Sequence, residues 1–413
     1  MSAHRKPQDL PPPILVDDSE GMDRLLADLG SQAEIAVDTE ADSFFHYRER
    51  VCLIQVTVED RDYLVDPLSD VPLDGIGDML ADEDRVKVFH DGEYDILILK
   101  RDYGFEFRNL FDTRVAAAAL GMATPGLAAV IGDRFGVELD KSLQRSNWST
   151  RPLSAKQIAY ARLDTHYLIP LMHEMREELD ERGRTIIVDG ECRRLEALAP
   201  QERVFEPDEF LRIKGARTLS PMHMQVLREL HILRDGLARE RDLPPFKVLG
   251  NHVLIALAKS QPSSQRQLGR VEELSPRVAR RIGSDLLGAI ERAKEMGPMK
   301  RVPQLPSRDG TGELSEESYE LHERLKTWRK TRAQAEGYDA SLILNRHVLL
   351  RLAAARPGSA ADLEEVEGLQ DWQRELFGEE ILATCDAFED DLEAGRIELR
   401  RRRRSKRRRG SDS

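Results

Sequence analysis

The run Glu34-Ile35-Ala36-Val37-Asp38-Thr39-Glu40 reads as an apolar strand that ends in two carboxylates one residue apart. Side chains two apart on a strand point to one face. Asp38 and Glu40 therefore offer adjacent oxygens to a single point, an arrangement that repels itself unless cations lie between them. Acidic residues are common at strand ends, so the pair needs partners from elsewhere. Outward from it, residues 35–40, 51–58, 62–66 and 85–90 carry strand patterns, the middle two as a hairpin around Glu59-Asp60-Arg61. Residues 94–101, 113–120, 127–135 and 154–182 carry helical spacing, several entered by Asp, Thr or Ser caps. The expected fold class is α/β, a mixed sheet with flanking helices, followed by an all-α region.

At 413 residues and 40% hydrophobic composition the chain suits two to four domains with real cores. The three cysteines, Cys52, Cys192 and Cys385, lie far apart and form no Cys-x-x-Cys pair, which predicts neither disulfides nor zinc and favours a reducing compartment. No signal region or membrane span is legible, so a soluble, cytoplasmic protein is expected.

Beyond about residue 205 the strand signal stops and the chain repeats itself. Leu230, Arg234, Leu249, His252, Val253, Ala258, Pro262 and Leu268 recur 95 residues later as Leu325, Arg329, Leu344, His347, Val348, Ala353, Pro357 and Leu363. Such self-similarity indicates a duplicated helical module. The copies differ in charge. Residues 211–295 hold 16 Lys/Arg against 9 Asp/Glu, a balance of +7; residues 314–395 hold 9 against 19, a balance of −10. The formal net charge of −13 therefore hides a basic module, and does not exclude a nucleic-acid partner. Residues 296–313 are rich in Pro and Gly and read as a linker, and nine of the ten residues 400–409 are basic, a tail expected to stay disordered without a polyanion.

Candidate partners for Asp38 and Glu40 lie in two segments. In Val88-Phe89-His90-Asp91-Gly92-Glu93-Tyr94-Asp95 a strand runs into a helix that Asp91 can cap, with Asp95 one turn inside; Asp91 and Glu93 are rival carboxylates. In Ile158-Ala159-Tyr160-Ala161-Arg162-Leu163-Asp164, Tyr160 and Asp164 are four residues apart. Four helical residues rise about 6 Å and nearly complete a turn, so these two share a face. Four hard oxygen ligands from Asp38, Glu40, Asp95 and Asp164 suit two Mg²⁺ or Mn²⁺ ions rather than zinc. A pair of ions about 3.5 to 4 Å apart stabilises both oxygens of an in-line phosphoryl displacement. Tyr160 is a poor base at neutral pH and is assigned the aiming of a water.

The order Asp38-x-Glu40, Asp95, Tyr160-x3-Asp164 resembles the DEDDy 3′→5′ exonucleases. More closely, Asp38-Thr-Glu-Ala-Asp-Ser-Phe, Cys52-Leu-Ile-Gln and Arg151-Pro-Leu-Ser are similar to ribonuclease D. Leu233-Arg234 through Asp242-Leu-Pro-Pro-Phe-Lys-Val-Leu resembles the helicase and RNase D C-terminal (HRDC) domain, the second copy departing from it with Asp339-Ala-Ser in place of Pro244-Pro-Phe. The resemblance implies a ribonuclease H-like exonuclease domain over 14–205, HRDC bundles over 211–295 and 314–395, the linker over 296–313 and the basic tail over 396–413. It implies hydrolytic release of nucleoside 5′-monophosphates from RNA 3′ ends, notably in trimming transfer RNA precursors. Metal ligation is carried over to Asp38, Glu40, Asp95 and Asp164, and water orientation to Tyr160.

For the substrate, Phe45 or its neighbours Phe44 and Tyr47 are candidates to stack on a base, and Trp148 and Arg151, with Lys141 and Arg145, to contact base or phosphate. The basic first module, through Arg234, Arg239 and Lys247, is expected to hold the RNA body; the acidic copy is expected to serve packing or protein contact, in a monomer. The competing readings are a DNA 3′→5′ exonuclease of proofreading or repair type, and a non-catalytic RNA-binding scaffold.

Overall fold

The computed structural model describes residues 6–30, 32–200, 204–305 and 314–397. The expected tail at 400–409 and the second half of the linker lie outside them.

The N-terminal part follows the order β1 (Ile14–Val16), α1 (Ser19–Leu29), β2 (Glu34–Ala41), β3 (Val51–Val58), β4 (Arg61–Val65), α2 (Asp74–Ala81), β5 (Val86–Phe89), α3 (Glu93–Tyr103), β6 (Leu110–Asp112) and α4 (Thr113–Ala119). Helices α5 (Leu127–Phe135), α6 (Ala155–Ala161), α7 (Leu163–His166), α8 (Leu168–Glu181) and α9 (Thr185–Ala197) follow. The six strands form one mixed sheet in the order β1-β4-β3-β2-β5-β6. β2 sits inside it, antiparallel to β3 with Asp38 opposite Gln55, and parallel to β5. Every residue of β3 is buried, because helices cover both faces of the sheet and leave its centre no solvated side. The register of β2 against β3 shifts between Glu40 and Ala41. Such an irregularity re-aims side chains at a strand end, here at the first two carboxylates.

Three details depart from the sequence reading. Strands β1 and β6 have only three residues each, too short for a periodicity to show. The single helix expected over 154–182 is broken into α6, α7 and α8 at Arg162 and Tyr167. Asp91 does not cap α3: it has a left-handed backbone, φ 63°, and its carboxylate pairs with Arg114 at 3.4 Å.

Two helical modules follow. The first contains α10 (Pro221–Glu240), α11 (Pro245–Val248), α12 (Asn251–Ser260), α13 (Gln265–Leu268) and α14 (Pro276–Met296); the second contains α15 (Glu316–Glu336), α16 (Ala340–Ile343), α17 (Arg346–Ala355), α18 (Ala360–Glu364) and α19 (Asp371–Glu393). Each helix of the second begins 95 residues after its counterpart. The first module has its own hydrophobic core, to which the nuclease adds Tyr47. The core of the second, with Leu321, Leu325, Trp372 and Phe377, is continuous with that of the sheet and its helices. Cys52, Cys192 and Cys385 are buried and free. Among the described residues no helix is long and apolar enough to cross a membrane.

Candidate active site

Asp38 and Glu40 occupy the end of β2, partly buried, with Thr39 between them turned inward. The Thr39 hydroxyl donates to the Asp95 carboxylate, which ties the second strand to the first turn of α3. Asp95 is only 7% exposed. Asp164, at the start of α7, completes the group. Burial raises the pKa of all four carboxylates and is the largest cause in each; the charges of the others add to it at Asp38, Glu40 and Asp164, and that of Asp112 at Asp95. Asp38 is pushed well above the carboxylate range, by burial first and then by Asp95, Asp164 and Glu40. Glu40 rises to about 9, Asp164 to about 7 and Asp95 to about 6, each chiefly through burial. Tyr160 faces the same group: burial, then Asp164, Glu40 and Asp38, drive its phenol further up, so it stays neutral.

The rival carboxylates are held elsewhere. Glu93 pairs with Arg194 of α9 at 3.0 Å and Asp91 with Arg114. Two aspartates that sequence reasoning passed over build the scaffold. Asp112 accepts from the Asp91 and Gly92 amides at 3.1 and 2.8 Å and caps α4 through the Arg114 and Val115 amides; it thereby fixes the turn that aims Asp95. Asp112-Thr113 before an alanine-rich run is a cap signal that could have revealed it. Asp62 on β4 is fully enclosed and takes Arg162 Nε at 3.0 Å, His166 Nδ1 at 2.8 Å and the Thr57 hydroxyl at 2.9 Å. Arg162 lies between Tyr160 and Asp164, so Asp62 pins the α6–α7 junction from behind. A buried charge is tolerated only when so satisfied.

The expected substrate contacts are placed unevenly. Trp148 is 0% exposed and packs against Tyr160 with ring centroids 5.9 Å apart, so it backs the tyrosine and presents no face to a base. Arg151 is drawn inward: it binds Asp66 with two nitrogens, at 2.5 and 2.7 Å, and the Cys52 carbonyl at 2.6 Å. Phe45 is half-buried beneath the Lys247 ammonium, 3.9 Å from its ring centre. In the first module Arg234 is buried and bonded to Asn251 and the Leu249 carbonyl. Arg239 lies against Tyr47 and Asp235. Arg234 serves the protein's own packing, which corrects the expectation that it grips RNA; Arg239 keeps an exposed guanidinium, its side chain 65% accessible.

A family model of 3′-5′ exonucleases matches residues 13–180, and one of the HRDC domain matches residues 223–290 and 319–385. Ribonuclease D of Sphingobium indicum is 30% identical over 388 residues, which cover 93% of this chain and 95% of that protein. The chain belongs to the ribonuclease D family. The ribonuclease D of Desulfotalea psychrophila is 28% identical over 77% of the chain and 84% of that protein. The crystal structure of Escherichia coli RNase D, an exoribonuclease involved in structured RNA processing, superposes with a TM-score of 0.65 at 25% identity, covering 90% of this chain and 98% of that one. The protein is a ribonuclease D-like 3′→5′ exoribonuclease, with an exonuclease fold followed by HRDC helices.

Proposed function

We propose that the exoribonuclease acts through divalent cations held by Asp38, Glu40, Asp95 and Asp164, and that it trims transfer RNA precursors at their 3′ ends. The observation that carries the metal reading is the elevation of all four buried carboxylates, three of them pushed further by charges within the group. Four acidic groups gathered without an ion-pair partner among the described residues are costly to ionise, and cations remove that cost. The donor set, all hard oxygen, fits Mg²⁺ or Mn²⁺, and exonucleases of this family are generally dependent on divalent metals. Bound there, two such ions would supply Lewis-acid activation of water and charge stabilisation at the leaving oxygen.

The chain's own residues orient the rest. The neutral Tyr160 hydroxyl, braced from behind by Trp148, holds a water in line with the terminal phosphorus. Attack forms the new P–O bond and breaks the bond to the 3′ oxygen of the preceding nucleotide. A nucleoside 5′-monophosphate leaves, and a 3′-hydroxyl remains. The junction of Tyr160 and Asp164 stays rigid because Asp62 clamps Arg162 and His166.

The test uses a 3′-extended transfer RNA and a matched single-stranded DNA, both 5′-labelled, with wild type and Asp38→Ala, in Mg²⁺ or chelator. Stepwise shortening of the RNA alone, abolished by the substitution and by chelator, is expected. Equal shortening of DNA would favour a nuclease indifferent to the 2′-hydroxyl, and shortening that persists in chelator would overturn the metal assignment.

A further inference from the structure

The turn after β2 meets the first helical module, and the contact divides into two parts. A polar latch joins the two: His46 Nδ1 lies 2.6 Å from Asp242, the Tyr47 amide donates to Asp242 at 3.0 Å, and the Tyr47 hydroxyl donates to Asp235 at 2.8 Å. Beside the latch, Phe44 of the nuclease and Phe246 of α11 meet edge to face with ring centroids 6.2 Å apart. They remain 39% and 54% exposed. Aromatic rings that served docking alone would be covered by the docking. These two are presented to solvent at the seam.

Cations frame them. Arg145 lies over Phe44, 5.5 Å from its ring centre, and Lys247 over Phe45. Neither cation forms an ion pair among the described residues. Asp242, a carboxylate of the module at the same seam, is already engaged by His46 and Tyr47. Phe44 follows Glu40 by four residues, so it lies within about 15 Å of that carboxylate along the backbone, and Arg145 precedes the buried Trp148 that backs Tyr160. The patch is therefore joined through the chain both to the carboxylates of β2 and to the residue that backs Tyr160.

Exposed π-faces flanked by unpaired cations are what single-stranded nucleic acid binds without sequence preference. We propose that Phe246, with Phe44, Arg145 and Lys247, forms a stacking subsite for the unpaired RNA segment upstream of the nucleotide being removed. The inference rests on the exoribonuclease reading. It gives the first module a specific role, in which α11 closes the outer wall of the RNA path.

The test compares an unstructured 12-nucleotide RNA with a ribodinucleotide, for wild type, Phe246→Ala and Phe246→Trp. Phe246→Ala is expected to raise KM for the 12-mer about tenfold or more, with kcat and turnover of the dinucleotide unchanged, and Phe246→Trp to restore the KM. An unchanged KM for the 12-mer would overturn the proposal. So would equal losses on both substrates that Trp fails to rescue, since these would mark Phe246 as docking only. Failure of wild type to shorten either RNA would instead refute the underlying exoribonuclease reading.

Discussion

The two helical modules share every helix and are joined to the nuclease in opposite ways. The first keeps a separate core and touches the nuclease through Tyr47, His46 and an exposed aromatic edge. The second shares the nuclease core. Trp372, buried at the start of α19, lies so close to Gly190 of α9 that a Cβ there would stand 1.9 Å from the indole. Arg184 fastens the same face, donating to the Ala119 and Glu336 carbonyls at 2.7 and 2.5 Å. Helix α9 in turn grips α3, the helix of Asp95: Arg194 holds Glu93 at its start, and the Glu196 and Leu198 carbonyls hold Lys100 near its end. Duplication thus yielded one module left at the surface with its basic charge, and one absorbed as a brace behind the site.

The largest expected effect breaks that brace. Trp372→Ala should cost about 3 to 5 kcal/mol, read by denaturant unfolding, and should destabilise the nuclease and the second module together. Gly190→Ala, which overfills the same contact, should cost about 1 to 3 kcal/mol. If either change unfolded the second module alone, the shared core would not be a single cooperative unit.

Proton binding sharpens the comparison next. Glu40, Asp95 and Asp164 have folded values of about 9, 6 and 7, above their ordinary values of 4.5, 3.8 and 3.8. The folded chain then holds more protons than the unfolded one between those limits, so their contribution is full near pH 4 and is lost as pH rises toward 9. In chelator the melting temperature of the nuclease unit should fall by roughly 4 °C or more from pH 5.5 to 8.5. Mg²⁺ should restore it mainly at the higher pH. Glu40→Gln should flatten the dependence, and the first module should not follow it.

The smallest effects belong to the surface module. Tyr47→Phe removes one hydrogen bond of the latch and should cost about 1 kcal/mol or less, visible as faster amide exchange at the end of α10 with the nuclease amides unchanged. Arg277, the exposed counterpart of Trp372 in the first module, should tolerate Ala within about 0.5 kcal/mol.

Much of this was legible in the chain. The carboxylates of β2 announce themselves by local spacing, and Tyr160 and Asp164 by helical spacing, since both signals need only neighbouring residues. The repeat is legible because an offset of 95 residues needs no geometry. What escaped depends on contacts distant in sequence. Nothing local distinguishes Trp148, walled in behind Tyr160, from a stacking tryptophan, nor Arg151, drawn to Asp66 across 85 residues, from a phosphate ligand. Arg234 looked like an RNA contact because charge was counted by composition, whereas burial decides its use. The shared core of the second module is equally silent, because its acidic surface dominates its composition while a handful of apolar residues dock it.

The most direct test of the central claim is a calorimetric titration of the chelated protein with Mn²⁺ at pH 8, for wild type and Asp38→Asn. Two ions should bind per wild-type chain, with at least one lost or greatly weakened in the variant. Equal binding by both proteins, or none by wild type, would contradict the assignment of the four carboxylates to a metal centre.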